Sequence, residues 1–127
     1  MSADQLVYFG NAEVDQVRDT GWFIGRFIPA ALGPRHQTDL ELKWGVHHDG
    51  ERRSRGPEAV TDATTISILI RGCLRVTFQI EGSQSQQVMT KEGDYIIFGP
   101  GVVHSWEATG DTLVVSVRFP SIEVSRT

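Results

Sequence analysis

The chain has a single cysteine, Cys73, among its 127 residues. It cannot form an internal disulfide, and a lone thiol fits a reducing compartment. No basic group stands beside it in the chain, so it reads as a small core or edge filler rather than a nucleophile. Basic runs are also scarce. The net charge is −4 and the pI about 5.5, which argues against nucleic acid as a partner. The densest basic stretch, Arg52-Arg53-Ser54-Arg55, is either a solvated loop or a hold for an anionic substrate. No apolar run approaches the span of a bilayer. The N-terminus carries no charged start leading into an apolar signal segment. A cytoplasmic protein with no membrane partner is the expectation. The chain has no Ser-His-Asp spacing, no phosphate-cradling glycine loop, no internal repeat and no low-complexity segment.

What is present is β-patterning. Hydrophobic residues make up 39% and charged residues 22%, values of a globular chain whose length fits one domain. Residues 6–9 read as a short strand, and residues 11–20 have weak helical spacing through Val14 and Val17. Residues 22–28 read as a strand closed by Pro29, followed by a loop to residue 39 with His36 on its surface. Residues 40–47 alternate with a period of two. Leu40, Leu42, Trp44 and Val46 share one face, and Glu41, Lys43, Gly45 and His47 the other. A charged loop fills 48–62. Residues 64–70 and 73–80 read as two strands joined by an Arg71-Gly72 hairpin turn, then come a polar loop over 81–87 and a short strand to Thr90. Gly93-Asp94 is a turn, and Tyr95-Ile96-Ile97-Phe98 is a compact strand. Gly99-Pro100-Gly101 ends it with a bend. Residues 104–108 and 112–119 are predicted as separate strands divided at 109–111. About eight short strands with almost no helix predict a sandwich or barrel.

The stretch from Gly93-Asp94 through Pro100-Gly101 to His104 resembles the second motif of the cupin superfamily. Gly99 stands where that motif has its first proline. Ser67-Ile68-Leu69-Ile70-Arg71-Gly72-Cys73-Leu74-Arg75-Val76 looks like the end of the first motif. The resemblance covers residues 38–119. It implies an all-β double-stranded β-helix, a jelly-roll barrel that is often dimeric. The single domain would divide into N-terminal strands and loop (1–37), barrel core (38–119) and tail (120–127). In the family the histidine of the second motif is a metal ligand on the barrel lumen. The first motif supplies His-x-His and a glutamate, and here the glutamate place falls on Thr65 and the histidine places near Val60 and Thr61. Trp44-Gly45-Val46-His47 is similar to small cupins that carry Trp-Gly-x-His instead.

The resemblance thus implies a divalent metal (iron, manganese, nickel or zinc) held by His104 with His47 or His48 and Glu51 returning from the loop. Adjacent strand residues point to opposite faces, so at most one of His47 and His48 joins His104 in regular geometry. If Thr65 faces inward, so do Ser67, Glu41, Lys43, Ser116 and Arg118. Buried Glu41 would then have to pair with Lys43 or Arg118. The alternative is that apolar faces fill the barrel and the polar ones are wet. Trp44 and Trp106 either pack in the core or flank a ligand at the mouth. The candidate ligand-binding residues are Lys43, Glu41, Thr65, Ser67, Arg118 and Trp106. Three functions follow: a metal-assisted small-molecule enzyme (oxygenase, isomerase or cyclase), a metal-free ligand-binding or sensing module, and an assembly protein that forms homodimers through apolar outer faces.

Overall fold

The computed structural model describes residues 7–53, 58–59 and 62–121, the last two bounds enclosing most of the sheet. Among the described residues seven strands form one antiparallel sheet that closes on itself as a jelly-roll barrel. They are β1 (Trp22–Ile24), β2 (Glu41–His47), β3 (Glu58–Ala59), β4 (Thr64–Ile80), β5 (Ser83–Met89), β6 (Tyr95–Phe98) and β7 (Val103–Phe119). Their order is β1-β2-β7-β4-β5, with β3 also paired to β7 and β6 to β4.

Two predicted breaks do not exist. Arg71-Gly72 is not a hairpin turn. Both halves of β4 pair with the same strand, from Thr64 opposite Phe119 to Gln79 opposite Val103, so the chain runs on through a bulge at Arg71. Gly72 makes that bulge possible. Its φ is +96°, and a Cβ there would lie 2.4 Å from Thr112 Oγ1 and 2.5 Å from the Asp111 carbonyl oxygen. Thr112 fills the space instead, its hydroxyl accepting from Cys73 N at 3.1 Å. Residues 109–111 likewise fail to divide β7, which runs unbroken for 17 residues. Gly110 absorbs the irregularity at φ +72°. The true hairpin is Glu81-Gly82, both at positive φ, between Ile80 and its partner Ser83. The predicted polar loop after it is β5. That strand is exposed on both faces up to Val88, so its polarity records an edge strand wetted on two sides.

The N-terminal region also differs from expectation. Leu6 lies outside the described residues, and residues 7–10 are irregular rather than a strand. Ala12–Asp15 is one turn of helix (α1), with Asn11 Oδ1 accepting from Val14 N at 3.2 Å. The strand at Trp22 ends at Ile24, not at 28. His36 is half-buried rather than on the surface, its Nδ1 2.7 Å from the carbonyl of Ile28. Trp44 faces outward from β2, where its indole N–H donates to Glu13 Oε2 at 2.6 Å and ties α1 to the barrel.

The barrel interior has two halves. One is hydrocarbon, built from Leu69, Leu74, Val76, Phe78, Met89, Ala108 and Val114. The other is lined by the polar face of β2 and its cross-strand neighbours. The register places Glu41, Arg118, Thr65 and Phe98 in one row. The next inward row, two residues on, is Lys43, Ser116, Ser67 and Ile96. Period-two alternation keeps both rows on one face.

Candidate functional site

The polar half opens into a pocket with about 620 Å³ of atom-free space, counting its mouth toward solvent. Lys43, His47, Thr65, Ser67, His104, Trp106 and Arg118 line it together. Other predicted site residues stand elsewhere. Glu41 is fully buried and outside the pocket lining, where it accepts from Arg118 Nη1 at 3.1 Å and from Ser121 Oγ at 3.0 Å. His48 points outward to solvent, its ring 4.0 Å from an exposed Asp111 carboxylate. Glu51 is outside the lining, with its carboxylate on His47 Nδ1 at 2.9 Å and on His48 N at 3.0 Å.

Two lining residues, Trp22 and Phe98, were not singled out from the sequence, and a third, Arg53, stood there only within a basic run that could hold an anion. Trp22 forms part of the wall, with Arg118 over its ring at 4.6 Å and Lys43 at 5.8 Å. Phe98 packs on His104 at a ring separation of 4.6 Å. Arg53 is buried and faces the pocket, whereas Arg52 beside it is exposed. The basic run is therefore not simply a solvated loop. Residues 50–53 run beside β7, with Arg53 N donating to Trp106 O and Ala108 N to Glu51 O, so alternation turns Arg53 in and Arg52 out. Ser54 and Arg55 lie outside the described residues.

The two imidazoles are held in similar states. The Val102 carbonyl can only accept, so at 3.1 Å it takes the proton of His104 Nδ1. A carboxylate does the same for His47. Each neutral ring thus keeps Nε2 as its basic nitrogen. Burial pushes the pKa of His47 below the usual value, with Lys43 adding to the effect and the Glu51 bond opposing it. Burial also lowers His104, reinforced by Arg53 and Arg118 against the Val102 bond. For Glu51, burial acts upward but is outweighed by the bonds from His47 and the His48 amide, so its pKa falls. The site therefore holds a neutral Nδ1–H donating to a carboxylate, not an ion pair. Gly45 makes room for this, since a Cβ there would lie 3.1 Å from His47 Nε2 and 3.0 Å from Val114 O.

The donor set is a poor match to a divalent cation. Among the described residues no three His, Cys, Asp or Glu side chains gather where they could hold a metal. The two pocket imidazoles share their space with Lys43, Arg53 and Arg118, and the nearest carboxylate orients His47 from behind. The lining suits an anion better. Among the described residues it includes three cationic side chains and no carboxylate. Lys43 is pushed down to about 8, first by burial and then by Arg118 and Arg53. Thr65 Oγ1 and Trp22 Nε1 are buried with no hydrogen-bond partner among the described residues. Such groups cost free energy unless something satisfies them.

An antiparallel barrel with a half-polar, half-apolar lumen is the class that the fold and site define. Residues 54–121, more than half of the chain, match the cupin family model, and the chain belongs to that family. No curated protein matches it. Among solved structures it is similar to KdgF from Halomonas sp., 20% identical over 69% of this chain and 74% of that one, with a TM-score of 0.56. It is also similar to Lactobacillus farciminis oxalate decarboxylase in a formate complex, 21% identical with a TM-score of 0.59. That match covers 69% of this chain but 25% of that one. The Schizosaccharomyces pombe Cnp3 cupin domain is 10% identical over 65% of this chain and 54% of its own, with a TM-score of 0.56. At these identities the likeness is one of fold, and function rests on the site. Among the described residues no helix is long and apolar enough to cross a membrane.

Proposed function

We propose that the barrel is a binding site for a small organic carboxylate, recognised without a metal ion. The observation that carries this reading is a lining that, among the described residues, has Lys43, Arg53 and Arg118 and no carboxylate. Ser67 and Ser116, 2.8 Å apart, supply hydroxyls beside these cations, and Thr65 and Trp22 supply the unmatched polar atoms. Val76, Ile96, Phe98 and Trp106 offer an apolar wall for the rest of the ligand. Glu41 forms an ion pair with Arg118, and Lys43 and Arg53 add to the cationic character of the lining. The oxalate decarboxylase of similar fold was solved with formate, itself a small carboxylate.

The test is a melting-temperature screen with acetate, propionate and benzoate. A saturable rise that a chelator leaves untouched, and that Arg53→Met diminishes, is expected. A melting temperature that responds to divalent metal and chelator but to no carboxylate would overturn the reading.

The held tautomers of His47 and His104 favour a second reading, a metal-assisted small-molecule enzyme using iron, manganese, nickel or zinc. Elemental analysis of wild type against His104→Ala tests it, equal metal content in both counting against His104 as a ligand. For assembly, Tyr95 and Ile97 stand on an outer face at 65% and 59% exposure, which supports a homodimer that sedimentation would reveal. Cytoplasmic residence fits the lone free thiol, Cys73.

A further inference from the structure

Lys43 has features that carboxylate binding alone does not require. Its ammonium has no hydrogen-bond partner among the described residues. It stands directly opposite Ser116, which bonds Ser67, so its neighbours in the row are hydroxyls and not carboxylates. Arg118 occupies the next inward position on β7, and Arg53 shares the pocket. The Trp22 ring shields one side. A desolvated lysine next to other cations is the environment in which an amine becomes a nucleophile.

We propose that Lys43 forms an imine with a small 2-oxo acid, whose carboxylate the neighbouring guanidinium groups hold. The proposal rests on the carboxylate reading and names its substrate class. The uncharged Nζ attacks the carbonyl carbon, and the C=O π electrons move to oxygen to give a carbinolamine. Its hydroxyl leaves as water, taking up the protons that nitrogen gives up, and a C=N bond replaces the C=O bond. No oxidant or reductant is consumed. The carbonyl of a 2-oxo acid adjoins its carboxylate, so anchoring the acid among the cations brings the carbonyl to the amine. With the Lys43 pKa at about 8 rather than 10.5, about a quarter of its amine is uncharged at pH 7.5, against about 0.1% for an ordinary lysine. The charged groups acting on Nζ are Arg118, Arg53 and, in the opposite sense, Glu51.

The chain has only two lysines, Lys43 in the pocket and Lys91 on the surface. The test is reductive trapping: pyruvate with cyanoborohydride, followed by intact-mass and peptide analysis. One side-chain adduct, mapping to Lys43 and counted apart from any on the terminal α-amine, is expected in wild type and in Lys91→Arg. Propionate should slow its formation, and Lys43→Arg, which keeps the positive charge, should abolish it. No adduct in wild type, or an adduct that persists in Lys43→Arg, would overturn the proposal. If propionate still raises the melting temperature in that case, the carboxylate reading stands and the imine alone falls. If propionate has no effect either, both fall.

Discussion

Replacing Lys43 by methionine should make the barrel more stable. Methionine keeps most of the stem and removes the ammonium. The displacement of the Lys43 pKa from 10.5 to about 8 is equivalent to about 3 kcal/mol of preference against the charged form, at roughly 1.4 kcal/mol per unit. The sign follows from proton linkage. Between pH 8 and 10.5 the unfolded chain holds more protons than the folded one, so stability from this group rises with pH across that window. Below pH 8 the folded protein carries the whole penalty, and above 10.5 it carries none. The pocket is open and Lys43 is only partly buried, so solvent screening reduces the gain to about 1–2 kcal/mol at pH 7. In a chain of this size that is a rise of roughly 4–10 °C in Tm. Urea titrations of both proteins from pH 6 to 10.5 provide the assay. The difference should be flat below about pH 7.5 and shrink toward zero by pH 10.5. A variant less stable than wild type at pH 7, or a difference independent of pH, would refute the reasoning. The same variant should lose carboxylate binding, as expected where function holds a charge in a costly place.

Gly72→Ala combines a positive φ with a Cβ 2.4–2.6 Å from Thr112 and Asp111. It should cost more than about 2 kcal/mol and is read by thermal melting. Gly110→Ala, with open space around its Cβ, should cost only about 1 kcal/mol from φ strain, the milder half of the same comparison. Glu41→Leu strands the Arg118 guanidinium and the Ser121 hydroxyl in a buried site. A loss of about 3–5 kcal/mol in urea titration is expected, because breaking a buried pair leaves one charge uncompensated. His47 and His104 both have folded pKa values below 6.5. Stability should therefore be full above that value and fall as pH drops through the folded values, and His104→Asn should flatten this acid limb.

Alternation in β2 was legible because one face is polar throughout and the sheet must hide or wet it as a unit. Glu41, Lys43, Gly45 and His47 travel together, and fixing one fixes the rest. The same period carried Thr65 and Ser67, and Ser116 and Arg118. Strand ends were less legible. Arg71-Gly72 has the composition of a turn, yet pairing of both flanks with β7 outweighs local preference and converts it to a bulge. The sequence 83–87 is polar enough for a loop, and only pairing with residues 76–80 makes it a strand. Arg53 was legible only as one of a basic run that could hold an anion. Its inward direction depends on residues 50–53 running beside β7, a non-local pairing that no property of Arg52-Arg53 records. Trp22 was read as part of a strand, but its role in the pocket wall depends on β1 lying against β2.

The motif departure and the charge of the pocket have one physical account. The resemblance puts the family's inward glutamate at Thr65, whose hydroxyl is buried without a partner among the described residues. A carboxylate there would have stood in the same row as Arg118 and drawn that guanidinium toward the lumen. Instead Glu41 pairs with Arg118, and among the described residues the pocket lining holds cations and imidazoles but no carboxylate. Each His also donates a hydrogen bond from Nδ1–H to an acceptor outside the pocket lining, and burial favours the uncharged rings. A cation entering this space meets like charge before it meets a lone pair. An anion meets an ammonium, a guanidinium and unmatched hydrogen-bonding atoms, all fixed before it arrives. If the carboxylate reading holds, Thr65→Glu should abolish the rise in melting temperature that propionate gives the wild type.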